Sequence, residues 1–164
     1  VKYPITEAAR SRRPIIVNYF QFITDINNVE AYIRIRIHER SSRQFEEFFI
    51  PGGSLSLSFF KDSWKTSVRD LTRHFENTPF AQMVVKSLEE YKVEGSLTMM
   101  ELEEARLLFE QLRETKYVTF GPEPIMAYLV TRLFEIKLLR RILVAKNNRT
   151  SVEELRKRVM SYYA

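Results

Sequence analysis

Apolar positions recur along most of this chain at three- and four-residue intervals, the spacing of one face of an α-helix. Residues 1–13 are the exception. Pro4 and the cluster Arg10, Arg12 and Arg13 carry no periodic apolar pattern, and the segment reads as a linker or frayed end. From Pro14 the pattern turns helical, through Ile16, Tyr19 or Phe20, Ile23, Ile26, Ala31, Ile33 and Ile37. Pro14 suits a first helical turn, where its missing N–H leaves no bond unmade. Arg34, Arg36, His38 and Arg40 put positive charge near the negative end of the helix dipole. The stretch 31–37, AYIRIRI, also alternates like a strand. One short run without a partner strand makes no sheet, so the reading is helix.

A short helix is expected over Phe45–Ile50, stopped by Pro51-Gly52-Gly53, the strongest loop signal in the chain. A brief helix or extended piece over 55–60 should precede a helix at 64–74 capped by Ser63. Thr78-Pro79 starts a further helix with Phe80, Met83, Val84, Leu88 and Tyr91 on one face, ended by Gly95. Thr98 and Glu101 have the spacing of a capping box. They precede a stripe of Leu102, Ala105, Leu108, Phe109 and Leu112, with Glu103, Arg106, Glu110, Arg113 and Glu114 on the opposite face.

The segment FGPEPIMAYLVTRLFEIKLLRRILVAKNN, residues 120–148, predicts the longest helix. Its prolines suit a first turn and Glu123 suits the positive end of the dipole. It carries two apolar stripes: Ile125, Leu129, Leu133 and Ile136 in one, Met126, Val130, Phe134, Leu138 and Ile142 in the other. So wide an apolar arc predicts a helix buried among others. A membrane span is excluded on magnitude. Five charged residues lie between Arg132 and Arg141, and each costs roughly 2.5–3.5 kcal/mol near a membrane helix centre. Arg132 and Glu135, three apart, can meet on one face. Asn147-Asn148 ends the helix, and Ser151 with Glu154 opens a last one to Met160. The fold class is therefore all-α, a compact bundle of about seven helices over 14–164.

Composition agrees. Among 164 residues there are only 4 glycines and 6 prolines, few for the turns of a β-rich fold. There is no cysteine, which excludes disulfides and thiolate chemistry and permits an intracellular location. A first residue of Val, with no signal-peptide pattern, leads to the expectation of a piece of a longer chain. The net charge of +5 is uneven: +3 over 1–85, −4 over 86–130 and +6 over 131–164. A basic end beside an acidic middle suits an acidic partner, a phospholipid surface or nucleic acid, or is simply a solvated face.

Reactive chemistry finds little support. His38 and His74 are the only histidines and belong to no H-E-x-x-H pattern, so no metal-ligand spacing exists. Gly52-Gly53-Ser54-Leu55-Ser56 is not a G-x-S-x-G elbow. Neither G-x-x-x-x-G-K-[ST] nor G-x-G-x-x-G occurs. The acids mostly alternate with bases, as on solvated helix faces. Arg140, Arg141, Lys146, Arg149, Arg156, Lys157 and Arg158, followed by Tyr162 and Tyr163, keep a nucleic-acid-binding or basic adaptor module open as the alternative.

Two blocks carry a family resemblance. Phe120-Gly121-Pro122-Glu123-Pro124, Ala127-Tyr128, Glu135-Ile136-Lys137, Arg140, Ile142 and Lys146 resemble the C-terminal signature of the C-type subunits of archaeal and bacterial V/A-type ATPases (ATP synthases), which are related to the d-type subunits of vacuolar ATPases. Upstream, Asp25-Ile26-Asn27-Asn28, then Tyr32-Ile33-Arg34, then Pro51-Gly52-Gly53, look like the same family's helix and loop. Three departures stand out: Asn148-Arg149 where a glycine is usual, Ala145 for a common glycine, and Arg141 for an apolar residue. Asn148 could supply the left-handed conformation needed at the helix end.

The resemblance implies a three-lobed, funnel-like fold about twice this length, of which this chain holds the last lobe and a half, with a sub-boundary near 51–62. It implies a non-catalytic rotor part with no cofactor, metal or small-molecule substrate. Its partners would be the central axle of the machine and the membrane proteolipid ring, not nucleic acid, and its place cytoplasmic and peripheral to the membrane. The motif residues Asp25, Asn28, Arg34, Gly52, Gly53, Gly121, Glu123, Tyr128, Glu135, Arg140 and Lys146 then have structural or interface roles. Gly52 and Gly53 would permit a tight turn. Gly121 would shape a helix start that Glu123 caps. Glu135 and Arg140 would be internal ion-pair members, and Lys146 would lie at a surface.

Overall fold

The computed structural model describes residues 13–153 and 155. The expected linker lies outside these except for Arg13, and so does all but the beginning of the expected last helix at 151–160. Among the described residues there are seven α-helices and no strand. They are α1 (Pro14–Ile37), α2 (Ser42–Phe48), α3 (Leu57–Asp62), α4 (Leu71–Phe75), α5 (Ala81–Glu94), α6 (Thr98–Leu112) and α7 (Glu123–Asn147). Turns of 3-10 helix occupy Ser63–Lys65, Val68–Asp70 and Arg113–Tyr117. The chain forms two compact units that divide between Met100 and Glu101, inside α6. Residues 51–62 lie within the first unit.

AYIRIRI is helical, the last two turns of α1. That helix stops in a Schellman arrangement. Arg40 N–H donates to Ile35 O and Glu39 N–H to Arg36 O, with Glu39 left-handed at φ 52. The long helix α7 ends in the same way: Thr150 N–H donates to Ala145 O and Arg149 N–H to Lys146 O. The residue with positive φ is Arg149, at 55, and not Asn148, at −81. The expectation for Asn148 is thereby corrected by one position, because the 6→1 bond fixes which residue must turn. Left-handed backbone costs a side chain with a Cβ roughly 1 kcal/mol. Arg149→Gly should therefore raise stability by about that amount in urea denaturation.

Expectation and structure part at the single helix drawn over 64–74. The chain there runs through two 3-10 turns before α4. Ser63 caps nothing; it is 1% exposed, its hydroxyl donating to Phe60 O at 2.8 Å and lying 2.5 Å from the Tyr32 hydroxyl. Thr66, extended at ψ 151, breaks the helix there. The capping box at Thr98 is likewise absent. Met99 N–H donates to Glu90 of α5 at 2.7 Å, and Glu101 pairs with Arg141 at 2.6 Å. Half of a real capping box occurs at α2, where Ser41 N–H donates to the Gln44 side chain at 3.2 Å. Gly95 ends α5 as expected.

The core of the first unit is aromatic. Tyr32 of α1 sits among Phe45, Phe60, Trp64 and Phe75, with ring centroids 5.3–5.9 Å apart, mostly edge-on or tilted. His74 stacks on Phe59 at 4.3 Å, its Nε2 within 2.8 Å of Phe59 O. In the second unit α6 buries Leu102, Ala105, Leu107, Leu108 and Leu112, in line with the stripe in its sequence. Glu103, expected on the solvated face, is 4% exposed. It can be buried because Arg106 grips it at 2.8 Å while also reaching Glu110 at 2.5 Å.

Candidate functional site

Four of the motif residues converge. Asp25 and Asn28 lie one turn apart on the buried side of α1, facing the loop that holds Pro51-Gly52-Gly53. The Asp25 carboxylate accepts three hydrogen bonds: Ser54 N–H at 2.8 Å, Ser54 hydroxyl at 2.6 Å and Leu55 N–H at 3.0 Å. The Asn28 amide closes a two-way pair with Ile50. Its Nδ2 donates to Ile50 O at 2.8 Å, and Ile50 N–H donates to its Oδ1 at 2.8 Å. Two side chains of one helix thus satisfy the part-buried backbone of a loop that has no secondary structure of its own.

The glycines make this clamp possible. Gly52 has φ 109, a region side chains avoid. At Gly53 the reason is space: a Cβ there would lie 2.0 Å from Asp25 Oδ1 and 2.8 Å from its Cγ. Reading both as turn residues is right for Gly52 and incomplete for Gly53.

Arg34 does not join the clamp. Its side chain is 50% exposed and only reaches Glu30 of its own helix, at 4.0 Å. The residue inside is Arg36, 7% exposed. Arg36 donates to the Tyr32 hydroxyl at 2.8 Å, to Ser63 O at 2.8 Å and to Thr66 O at 2.5 Å. Its guanidinium also stands over the Tyr32 and Trp64 rings at 5.6 and 5.2 Å. It ties α1 to the irregular segment after α3, as Asp25 and Asn28 tie it to the loop before. Burial pushes the Tyr32 phenol up, while the Ser63 hydrogen bond and the Arg36 charge pull it down. The sequence signal for this residue is spacing: Asp25, Asn28, Tyr32 and Arg36 follow one another at three- and four-residue steps, whereas Arg34 falls off that line.

The remaining motif residues lie on or just before α7. Gly121 precedes it at φ 135, and Glu123 opens it, 3% exposed, at the positive end of the dipole. The helix is not the buried strut that its sequence suggests. One stripe faces inward: Val130 and Phe134 are buried, and Phe134 packs on Phe109 of α6 at 4.9 Å. Beside it Lys137 and Arg141 pair with Glu104 and Glu101 of α6, at 3.8 and 2.6 Å. Arg141, a departure from the family pattern, is thus matched by an acid across the helix pair. The other stripe is open. Ile125, Leu129, Leu133, Ile136, Leu139, Leu143 and Val144 are 51–66% exposed.

Glu135 lies beside this open stripe, not in a core. It pairs with Arg132 at 2.5 Å, as their spacing allows, with side chains 44% and 55% exposed. Arg132 stacks on Tyr128 at 5.2 Å and is held above its usual range by hydrogen bonding to Tyr128 and Glu135. Arg140 and Lys146 are exposed and make no ion pair among the described residues. The expectation of internal pairs for Glu135 and Arg140 is corrected, because α6 covers only one side of α7. Exposed pairs contribute little. Glu135→Ala should shift stability by less than about 1 kcal/mol, read by urea denaturation.

Among the described residues no helix is long and apolar enough to cross a membrane, and no three His, Cys, Asp or Glu side chains gather as metal ligands. What the geometry does is hold: it locks a loop and an irregular segment onto one helix, and it presents a second helix face outward.

Comparison with known proteins agrees with the motifs. The profile of the ATP synthase (C/AC39) subunit family matches residues 5–158. The C subunit of the V-type sodium ATPase of Enterococcus hirae is 23% identical over 140 residues, which cover 85% of this chain and 42% of that protein. The C subunit of the A-type ATP synthase of Methanocaldococcus jannaschii is 25% identical over 136 residues, covering 82% of this chain and 34% of that protein. The chain thus spans less than half the length of these relatives. No solved structure matches it. With the clamp motif and the long-helix motif both falling inside the matched span, the chain belongs to the ATP synthase (C/AC39) subunit family.

Proposed function

We propose that this chain is a non-catalytic part of the central stalk of a V/A-type ATPase. It would sit on the cytoplasmic side, peripheral to the membrane, and join the ATP-driven axle to the membrane proteolipid ring. The family match across residues 5–158 carries this reading. The first unit supports it physically. A coupler must not yield under torque, and close-packed interiors transmit strain. Here the two irregular segments that would yield first are fastened to α1 by Asp25, Asn28 and Arg36. In the same reading the chain corresponds to the last lobe and a half of a funnel-shaped protein.

Reconstitution tests it. A complex assembled in vesicles without this protein should keep ATP hydrolysis by the head and lose ATP-driven ion uptake, and adding the protein back should restore uptake. Undiminished uptake in its absence would end the proposal. A basic adaptor or nucleic-acid-binding module is the second reading, favoured by the exposed Arg140, Lys146 and Arg149. Tight, steeply salt-dependent retardation of DNA or RNA would put it first.

A further inference from the structure

The side that α7 turns to α6 is not the one that apolar burial alone would choose. In the first half of the helix either side would serve: Val130 and Phe134 face in, Ile125 and Leu129 face out. Beyond Phe134 the balance tips. Leu138 and Ile142 are only half-buried there, while Ile136, Leu139 and Leu143 are 59–66% exposed. Lys137 and Arg141 reach toward α6 instead, roughly 150° around the helix from those three. Three large apolar side chains are turned out and two bases turned in.

The surface that α6 offers accounts for this. At the level of the second half of α7 it presents Glu104 to Lys137 at 3.8 Å and Glu101 to Arg141 at 2.6 Å, an antiparallel ladder of two ion pairs. Leucines laid over those carboxylates would strip them of water and give them no partner. The Lys137 ammonium also stands 5.4 Å from the Phe134 ring, on the inward side. We propose that Glu101 and Glu104 are positioning residues that select which of the two apolar stripes of α7 packs on α6. Exposed pairs add little stability, but a choice between two similar faces needs little. The pairs therefore act as a catch. While they are closed, Ile125, Leu129, Ile136, Leu139 and Leu143 stay outside together; when the acids of α6 are neutralised, the helix rolls and buries them. The choice is made within the chain, whatever meets the open face, and does not depend on the stalk reading.

The chain has no cysteine, so a single introduced thiol reports which side is covered. Against the otherwise unaltered background, maleimide should label Leu139→Cys about tenfold faster than Val130→Cys, or more, since a thiol must be accessible to react. Adding Glu101→Leu with Glu104→Leu gives α6 an apolar surface at that level, and the order of the two rates should invert. Glu101→Lys and Glu104→Lys combined with Lys137→Glu and Arg141→Glu re-form the pairs with reversed sign, and the original order should return. Should the leucine pair reduce the helical circular dichroism, Glu101→Gln with Glu104→Gln takes its place and must at least equalise the two rates. An order that neither pair of substitutions changes would overturn the inference and leave the packing of Val130 and Phe134 as what orients the helix. So would fast labelling at both positions, which means that α7 detaches rather than rolls, or a quadruple swap that fails to restore the original order.

Discussion

Replacing Arg36 with Met should lower the stability of the chain by about 2–4 kcal/mol. The guanidinium serves three buried or half-buried oxygens, on Tyr32, Ser63 and Thr66. Methionine fills much of the volume and supplies no donor, so Thr66 O loses its partner, while the Tyr32 hydroxyl keeps Ser63 and Ser63 O keeps the Thr66 N–H and hydroxyl, each with its charge-assisted bond gone. An unmet buried polar group costs about 1–3 kcal/mol, more than the net worth of the bond itself. The desolvation of the charge, which the substitution relieves, offsets part of this. Arg36→Lys is the informative companion. It keeps the charge, but a point-like ammonium cannot span three acceptors while lying flat over the Trp64 ring. Urea denaturation should therefore place Lys much nearer to Met than to Arg. Wild-type stability in the Lys variant would mean that charge, not the planar fork, does the holding.

The clamp on the 50–55 loop gives the second large effect. Gly53→Ala should cost about 3 kcal/mol. The new methyl group would fall 2.0 Å from Asp25 Oδ1, and Asp25 cannot swing aside. It is short, 1% exposed and fixed by three donors. Either the loop lifts and those bonds break, or the backbone of α1 shifts. Asp25→Ala should cost a similar amount for a different reason, since it strands the N–H groups of Ser54 and Leu55. The two changes are coupled. Once Asp25 is alanine the methyl group at 53 has room, so the double variant should be clearly more stable than the sum of the singles implies. Simple additivity, measured by the same denaturation, would show that Gly53 and Asp25 do not meet.

Both effects lie where the sequence is only partly legible. Asp25, Asn28, Gly52 and Gly53 stand out as a motif, yet spacing alone does not say that the carboxylate and the amide each satisfy backbone 22–30 residues away. Arg34 and Arg36 look alike in the sequence, two of several bases near a helix end. Helical phase puts Arg36 on the same face as Asp25, Asn28 and Tyr32; the family resemblance, carried by Tyr32-Ile33-Arg34, singles out Arg34 instead, which the structure leaves exposed. Glu103 shows the same limit, an acid on an apparently solvated stripe that goes inside because Arg106 accompanies it.

The long helix departs from expectation differently. Its two stripes are plain in residues 125–142, and so wide an arc predicts burial on all sides. In the structure each stripe has its own fate, one on α6 and one facing out. Hydrophobic periodicity says that a face prefers to leave water; it does not name what will cover it, or whether the covering element belongs to the same chain.

The sequence by itself determined that this protein is all-α, where its long helices run and stop, and which family it belongs to. These follow from local spacing, from proline and glycine at helix ends, and from motifs readable as strings. Only the tertiary structure decided that Arg149 and not Asn148 turns left-handed, that Gly53 is needed for Asp25, and that half of α7 stays open. Each of those depends on a neighbour distant in the chain or on a particular backbone hydrogen bond. The energy of a buried polar group is set by whether such a partner arrives, and nothing local encodes that arrival.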